Sequence, residues 1–211
     1  MHCAAFDALG SLQPVEPGIR CRSKIGSNLT TALAVARQQK QPAETITVLS
    51  RALSDLKLTV DSLEPIEGDI VALIGNLRHR MARDLADAGI TCKWEVEDCA
   101  SIPWLDAPNA LHVLRIHNEA ISNILTHSKA TEMRIGCLEE QREGIDGITT
   151  YIADNGSGFD TDLAPQGKGL SNIKSRARSL QGQLSYHSEA GTGTVVRLWL
   201  PYVRGETMPT K

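Results

Sequence analysis

The chain has 211 residues, of which 41% are apolar and only 4% aromatic, so aliphatic side chains must fill its core. This composition excludes a globally disordered chain, and the length fits one large domain or two small ones. The net charge of −3 has the wrong sign for a protein that holds nucleic acid through phosphate contacts.

The chain lacks the sequence signs of export or membrane insertion. No apolar run approaches the roughly 20 residues that cross a bilayer, and no signal peptide is recognisable. The five cysteines include no C-x-x-C pair, which disfavours a disulfide framework or a zinc site and fits a reducing compartment. We therefore expect a cytoplasmic protein with no membrane span in this chain.

The first third of the chain predicts a helical hairpin behind a poorly ordered lead-in, residues 1–24. A helical pattern begins at residue 25, and Pro42 separates it from a second helix. In that second helix the apolar residues alternate three and four apart, as in a coiled coil, at Ile46, Leu49, Leu53, Leu56, Val60 and Leu63. Pro65 ends the pattern, so the hairpin covers residues 25–64. Because a thin hairpin cannot bury its own stripe, we expect a homodimer with a four-helix bundle; alternatively, the second helix packs on the chain's own globular domain.

Residues 66–204 predict a mixed domain, followed by a flexible tail at 205–211. Helices are predicted from Ile70 to Leu85 with Gly89 as cap, over residues 106–128, and over residues 170–181 with Gly182 as cap. Strands are predicted at residues 91–97, 131–138, 148–153, 183–188 and 194–200. The expected class is α+β: the hairpin, then an α/β two-layer sandwich whose mixed sheet is covered by helices on one face.

The long helix carries the first candidate site. Glu119, Asn123 and His127 are four residues apart and stack along one side of the helix. A carboxylate, an amide oxygen and an imidazole in one row could hold a hydrated magnesium ion and meet phosphate oxygens. A plain solvated helix face is the competing interpretation.

Three glycine-bearing segments supply the other candidates. Asp154 ends a strand and enters the loop Asn155-Gly156-Ser157-Gly158, where it could accept a hydrogen bond from an exocyclic amine; a plain hairpin turn is equally compatible. Gly167-Lys168-Gly169 opens a helix, whose free N–H groups and added positive charge suit an anion. The fourth segment, Gly191-Thr192-Gly193-Thr194, is by itself only a tight turn.

The order and spacing of the four segments resemble the ATP-binding domain shared by sensor histidine kinases, type II topoisomerases, Hsp90 chaperones and MutL, the GHKL ATPase fold. The long helix resembles the N box of that family, and Asp154-Asn155-Gly156-Ser157-Gly158 its G1 box. Gly167-Lys168-Gly169 resembles the G2 box, and the glycine-threonine turn completes the set. The likeness is strongest to the histidine kinases that pair with helix-turn-helix response regulators, which share phrases similar to Glu119-Ala120-Ile121-Ser122-Asn123.

The resemblance implies a role for each residue. Asn123 would ligate Mg²⁺, with Glu119 orienting water or metal, and these two form the catalytic pair. His127 would neighbour the phosphates of ATP, while Asp154 would accept from the adenine amine in a pocket shaped by Gly156 and Gly158. Gly167 and Gly169 would hinge a short lid over the triphosphate and Thr194 would support the adenine end; Lys168, Leu170 and Thr192 complete the ATP-binding set.

The resemblance also implies a histidine that the chain lacks. A transmitter kinase needs a phosphoacceptor histidine followed by an acidic residue that takes its proton. The six histidines are followed by Cys, Arg, Val, Asn, Ser and Ser. Aligned with the H-D-G-I-G-S-x-L pattern of the family, the position falls on Arg22 or, in a second register, on Phe6, and neither side chain can accept a phosphoryl group.

Three functions follow from these observations. The first is the ATP-binding core of a sensor histidine kinase, which moves the γ-phosphate to a histidine and on to a response regulator, without an acceptor of its own. An upstream membrane sensor region would make this chain a fragment of a larger sensor. The second is a non-catalytic, nucleotide-gated dimeric binding module, and the third is a serine kinase of the anti-sigma type.

Overall fold

A computed structural model describes residues 68–160 and 168–205, together with Thr45. Apart from Thr45, these residues belong to one compact unit bounded by Asp61 and Lys211. The predicted lead-in and the predicted hairpin, Thr45 excepted, lie outside the described residues, as do residues 206–211. The four-helix dimer therefore stays a prediction.

Helices and strands are mixed along the described part of the chain, and two pairs of strands are consecutive. In order they are α1 (Ile70–Asp87), β1 (Thr91–Val96), α2 (Ala107–Asn123), a π-helical turn (Ile124–Ser128), β2 (Glu132–Arg142), β3 (Ile145–Asp154), α3 (Lys168–Ser179), β4 (Gln183–Glu189) and β5 (Gly193–Pro201). Every predicted strand and helix of this region is present. The prediction missed the π-helical turn, and it made several of the strands shorter than they are in the structure.

Side-chain caps fix where the first two helices begin. Asp69 accepts a hydrogen bond from the Ala72 N–H at 2.9 Å, and Asp106 accepts one from the Asn109 N–H at 3.0 Å. Each bond satisfies a backbone donor that has no partner inside the helix. Gly89 caps the C-terminal end of α1 as predicted, and its φ of 72° is left-handed.

The cap of α3 differs from the prediction. Gln181, not Gly182, adopts the left-handed conformation, with φ of 54°. The Gly182 N–H closes the helix end by donating to the Ala177 carbonyl at 3.0 Å, as in a Schellman motif. Gly182 is required for a different reason, because a Cβ there would lie 2.6 Å from the Trp199 carbonyl oxygen.

The strands form one mixed sheet in the order β1-β2-β3-β5-β4. β1 pairs with β2 in parallel, and the other three pairs are antiparallel. α2 provides the crossover between β1 and β2, since parallel neighbours cannot be joined by a tight turn. The mixed sheet expected from the sequence is confirmed.

The helices cover one face of the sheet. One row of residues crosses all five strands in register and therefore shares a face: Trp94, Ile135, Ile152, Val196 and Tyr186. α1 contacts β1, α2 contacts β3, and α3 contacts β4. The core lies between these helices and the sheet, with Ile116, Ile121 and Ile135 almost fully buried.

β2 and β3 form a longer hairpin than predicted. The apolar alternation of β2 stops at Leu138, but the strand continues in register with β3 as far as Arg142. Glu143 and Gly144 connect the strands, with φ values of 52° and 84°. Two positive φ values match the twist of a two-residue hairpin, so the strands pair up to the turn although their last residues are polar.

Candidate functional site

A cavity of about 540 Å³ opens where the end of α2, the end of β3, the start of α3 and the start of β5 meet. The residues that line it come from all four segments: Glu119, Ala120, Asn123, Ile124, His127, Ser128, Ile152, Asp154, Ser157, Gly158, Phe159, Gly169, Ile173, Tyr186, Thr194 and Val196. The sheet register explains part of this convergence, because Asp154 at the end of β3 pairs with Thr194 at the start of β5.

The helical wall of the cavity carries Glu119, Asn123 and His127. The sequence predicted one continuous α-helix through all three, but the α-helix ends at Asn123 and the chain continues as the π-helical turn. π-turns occur frequently at functional sites. Glu119 is half-buried and the other two side chains are exposed, so this wall presents its polar groups to the cavity.

The opposite wall is centred on Asp154, which is only 6% exposed. One of its oxygens, Oδ1, accepts a hydrogen bond from the Gly156 N–H at 2.7 Å. Burial raises the pKa of the Asp154 carboxyl above its ordinary value, while the backbone bonds from Gly156 and Thr194 act against that rise. A buried carboxylate with one oxygen held by backbone is well suited to accept a hydrogen bond from a ligand amine.

The loop that follows Asp154 is not the hairpin turn that its Asn-Gly dipeptide allowed. The Asn155 Oδ1 accepts hydrogen bonds from the Thr131 and Glu132 N–H groups at 3.0 and 2.9 Å. The Ser157 N–H donates to the Ser128 carbonyl at 2.6 Å. Asn155 therefore fixes the start of β2, and the loop is joined to the end of the π-helical turn.

The glycines of this loop are sterically required. A Cβ at Gly156 would overlap the Ser128 carbonyl, and one at Gly158 would overlap the Glu189 carbonyl. Gly158 also has a left-handed φ of 56°. Gly158 lines the cavity, whereas Gly156 is buried behind it and holds Asp154 in place.

Ser188 joins the loop to the glycine-threonine turn. Its hydroxyl accepts from the Phe159 N–H at 2.9 Å and donates to the Gly193 carbonyl at 3.1 Å. It also lies 2.9 Å from the Thr194 hydroxyl. The side chain is buried, so these contacts set the position of Thr194 and of Phe159 in the cavity wall.

Not all predicted site residues reach the cavity. Gly169 does, and a Cβ there would overlap the Glu119 carboxylate. Thr192 lies in the exposed turn, where its hydroxyl donates to the Glu189 carbonyl at 3.1 Å. Lys168 and Leu170 have helical backbone in the first turn of α3, and Gly167 lies outside the described residues.

The apolar floor of the cavity was missed by the sequence reasoning. It is formed by side chains from three strands and helices: Ile124, Ile152, Ile173, Tyr186 and Val196. Their spacing is that of ordinary core residues, so no pattern in the sequence indicated that they face a cavity. Lys174 lies over the Tyr186 ring at 5.2 Å and holds it at the edge of the site.

The helical wall carries donor atoms of the type that a metal ion needs. Glu119 and Asn123 offer a carboxylate and an amide oxygen, which suit Mg²⁺ in type. Within residues 68–160 and 168–205, no group of three or more His, Cys, Asp or Glu side chains could hold a metal. A magnesium ion held by Glu119 and Asn123 would therefore take its remaining ligands from water and from phosphate oxygens.

The comparison with protein families agrees with this architecture. Residues 109–204 match the family described as histidine kinase-, DNA gyrase B-, and HSP90-like ATPase. The match begins in α2 and ends after β5, so it contains all four segments that line the cavity. The match covers a little less than half of the chain, and the predicted resemblance to the transmitter core of sensor histidine kinases is confirmed.

Individual relatives are named as sensor proteins or sensor histidine kinases. The nitrate/nitrite sensor protein NarQ of Escherichia coli is 36% identical over 48% of this chain and 18% of its own length. The sensor histidine kinase LiaS of Bacillus subtilis is 30% identical over 53% of this chain and 29% of its own. The chain thus spans less than a third of the length of either relative.

Solved structures share the fold at low sequence identity. The histidine kinase domain of a blue-light activated kinase from Erythrobacter litoralis superposes with a TM-score of 0.55. It is 17% identical and the match covers 87% of this chain and 91% of that one. Among the described residues no helix is long and apolar enough to cross a membrane.

Proposed function

We propose that this chain contains the ATP-binding catalytic core of a sensor histidine kinase, which transfers the γ-phosphate of ATP to a histidine and from there to a response regulator. The single observation that carries the proposal is the 540 Å³ cavity with Asn123 on one wall and Asp154 on the other. Its volume lies in the range of sites for small molecules and cofactors.

The two walls fit the two ends of a nucleotide. In this assignment, the Asp154 carboxylate accepts from the adenine amine, and Thr194 supports the ring from the neighbouring strand. The apolar floor, which includes Tyr186 and Ile152, packs against the purine. Gly158 lines the same pocket, and its lack of a Cβ lets the loop pack against the Glu189 carbonyl.

The helical wall then receives the triphosphate. Asn123 and Glu119 would hold Mg²⁺, which when bound supplies positive charge against the phosphate oxygens. His127 would lie beside the phosphates, and the segment Gly167-Lys168-Gly169 would offer them backbone N–H groups and a cation. Gly167 and Gly169 would let the segment before α3 close over the triphosphate and exclude water.

A binding module without transfer is the second candidate, and one observation favours it. None of the six histidines is followed by an acidic residue. His117 lies on α2 but is only 2% exposed and its Nδ1 is 3.0 Å from the Val113 carbonyl oxygen. Burial lowers its pKa, so His117 is a neutral core residue that an incoming phosphate cannot reach.

One experiment separates the candidates. The chain would be incubated with γ-³²P-ATP and Mg²⁺ in three forms: unaltered, with Arg22→His and Ser23→Asp together, and with Phe6→His, where Asp7 already follows. Asn123→Ala in each background controls for the ATP site. We expect acid-labile, base-stable label on one restored histidine and none on the unaltered chain.

The other outcomes identify the alternatives. The binding module is supported if the chain binds ATP but transfers no label. In that case neither restored histidine is labelled, and neither is a separate hairpin that carries the His-Asp pair. Acid-stable label on serine in the unaltered chain supports the anti-sigma type of kinase. Absence of any Mg²⁺-dependent ATP binding would contradict the proposal as a whole.

A further inference from the structure

Two thiols outside the nucleotide cavity are in direct contact. The Cys99 Sγ lies 3.4 Å from the Cys137 Sγ. Cys137 is buried in the middle of β2, whereas Cys99 is half-buried in the loop between β1 and α2. Neither thiol belongs to the candidate ATP site, and the contact is a product of the fold, because the two residues are 38 positions apart in the sequence.

We propose that Cys99 and Cys137 form a modification site, in which an oxidant of the small-disulfide or peroxide class converts the pair into a reversible intramolecular disulfide. Closure requires the two sulfurs to approach from contact to about 2.05 Å. β2 is held between two neighbouring strands, so the movement falls on the loop that carries Cys99.

The backbone around the pair keeps the loop in place. The Glu97 N–H donates to the Cys137 carbonyl at 2.9 Å. The Ala100 N–H donates to the Glu139 carboxylate at 3.0 Å. Because both neighbours of Asp98-Cys99 are bonded to β2, the Cys99 thiol stays beside Cys137.

The same loop contacts the first described residue of the domain. The Ile102 N–H donates to the Gly68 carbonyl at 2.9 Å, and a Cβ at Gly68 would overlap the Ile102 carbonyl. A disulfide at Cys99 would therefore anchor the loop against β2 close to the point where the chain enters this domain.

The chemistry balances with a disulfide RS–SR as oxidant. The Cys99 thiolate attacks one sulfur of RS–SR, forms a mixed disulfide and releases one RS⁻, which takes up the Cys99 proton. The Cys137 thiolate then attacks the Cys99 sulfur and releases the second thiol. The two cysteines are oxidised by two electrons, and RS–SR is reduced to two RSH. With hydrogen peroxide, Cys99 passes through a sulfenic acid and two waters are released.

The charges around the loop select the oxidant. Three carboxylates lie near the Cys99 thiol: Glu97, Asp98 and Glu139. The pKa of this thiol is raised mainly by its burial and further by the negative charge of these carboxylates. The Tyr202 hydroxyl and the Ala100 N–H lower the pKa of Glu139, which keeps that carboxylate charged. An anionic disulfide is repelled at this entrance, whereas a cationic one is attracted.

The test maps the bond directly. Trypsin places each of the five cysteines on a separate peptide, with Cys99 in residues 94–115 and Cys137 in residues 135–142. The full chain would be treated with cystamine, denatured in an alkylating agent and digested without reduction. We expect these two peptides to be linked, and to separate on reduction.

Matched variants decide the assignment. Cys92→Ser, whose thiol lies on β1 and is also half-buried, should leave the linked peptides unchanged, and Cys99→Ser should abolish them. Recovery of Cys137 as an alkylated thiol while Cys99 carries cysteamine, or a link from Cys99 to any other cysteine or to a second chain, would overturn the proposal.

The electrostatic step has its own test. At low ionic strength, cystamine should form the link about tenfold faster than glutathione disulfide at equal concentration, corrected for their rates with a small model thiol. In 0.5 M NaCl the difference should shrink, because screening removes attraction beyond a few ångströms. Equal corrected rates at both salt concentrations would overturn the role given to the carboxylates.

Discussion

The two polar walls of the cavity differ in how far the protein itself organises them. On the sheet side, Asp154 and Ser188 are buried and bonded to backbone groups. On the helical side, Asn123 and His127 are exposed, and no side-chain hydrogen bond to them is present within the described residues. The sheet wall is preformed, whereas the helical wall offers donors and acceptors that only a ligand would satisfy.

This contrast matches the two ends of the proposed ligand. A purine is rigid and neutral, so a prearranged acceptor recognises it without reorganisation. A triphosphate with its metal is highly charged, and its binding site must open and close around it. If the assignment holds, substitutions in the helical wall should change binding without changing stability, and substitutions in the sheet wall should change both.

The largest effect is expected from Asn123→Ala. Removal of the amide oxygen should weaken Mg²⁺-dependent ATP binding by about 100-fold or more, which corresponds to about 2.7 kcal/mol. Because the side chain is exposed, the free energy of unfolding should stay within about 0.5 kcal/mol. Isothermal titration with and without Mg²⁺, together with urea unfolding, measures both quantities.

The neighbouring Ser122→Ala is the matched control for this variant. Ser122 is also exposed on α2 but does not line the cavity, so its ATP affinity should equal that of the unaltered chain. An Asn123→Ala protein that binds ATP as tightly as Ser122→Ala would contradict the assignment of the helical wall.

A smaller effect is expected from Asp154→Asn. Loss of a charged acceptor should weaken ATP binding by about 10- to 100-fold, in line with about 1.5–3 kcal/mol for a hydrogen bond to a charged group. Binding of inorganic triphosphate should hardly change, because it has no adenine. Asp146→Asn, at the opposite end of β3, is the control; equal losses for ATP and triphosphate would argue against adenine recognition.

The same variant tests the buried state of Asp154 without any ligand. Because burial raises its pKa in the folded protein, the folded state holds this proton more tightly than the unfolded state. Stability from this group is therefore present below the ordinary Asp pKa, about 3.9, and is lost as the pH rises through the folded value.

Asp154→Asn removes that loss. Relative to Asp146→Asn, the free energy of unfolding of Asp154→Asn should increase as the pH rises from 4 to 8, so that the variant gains stability; urea unfolding at each pH measures this difference. A constant difference between the two variants over this range would mean that Asp154 has no raised pKa.

Much of this site could be predicted because its motifs are local. The i, i+4 spacing of Glu119, Asn123 and His127, and the glycines at the ends of strands, follow from the chain itself. The predicted convergence on one cavity is consistent with where the structure places Asn123 and Asp154. The assignment of these residues to ATP stays a proposal.

The parts that could not be predicted depend on contacts between distant segments. The π-helical turn is bonded to the loop after β3, because the Ser128 carbonyl accepts a hydrogen bond from the Ser157 N–H. No local sequence pattern predicts that bond. β2 runs to Arg142 because of its pairing with β3 and not because of its own alternation. The apolar floor around Tyr186 has ordinary core spacing, so only the sheet register reveals that it faces the cavity.

Ser188 is the sharpest example of such a residue, and it provides the smallest predicted change in affinity. Ser188→Ala would leave the Phe159 N–H and the Gly193 carbonyl without their partner, at a cost of about 1–2 kcal/mol in the free energy of unfolding. ATP affinity should fall only a few-fold, because Ser188 acts on the ligand through Thr194. Ser185→Ala, exposed on the same strand, is the control. A Ser188→Ala protein as stable as this control would show that the sheet wall does not depend on its buried hydroxyl, and the contrast between the two walls would then rest on Asp154 alone.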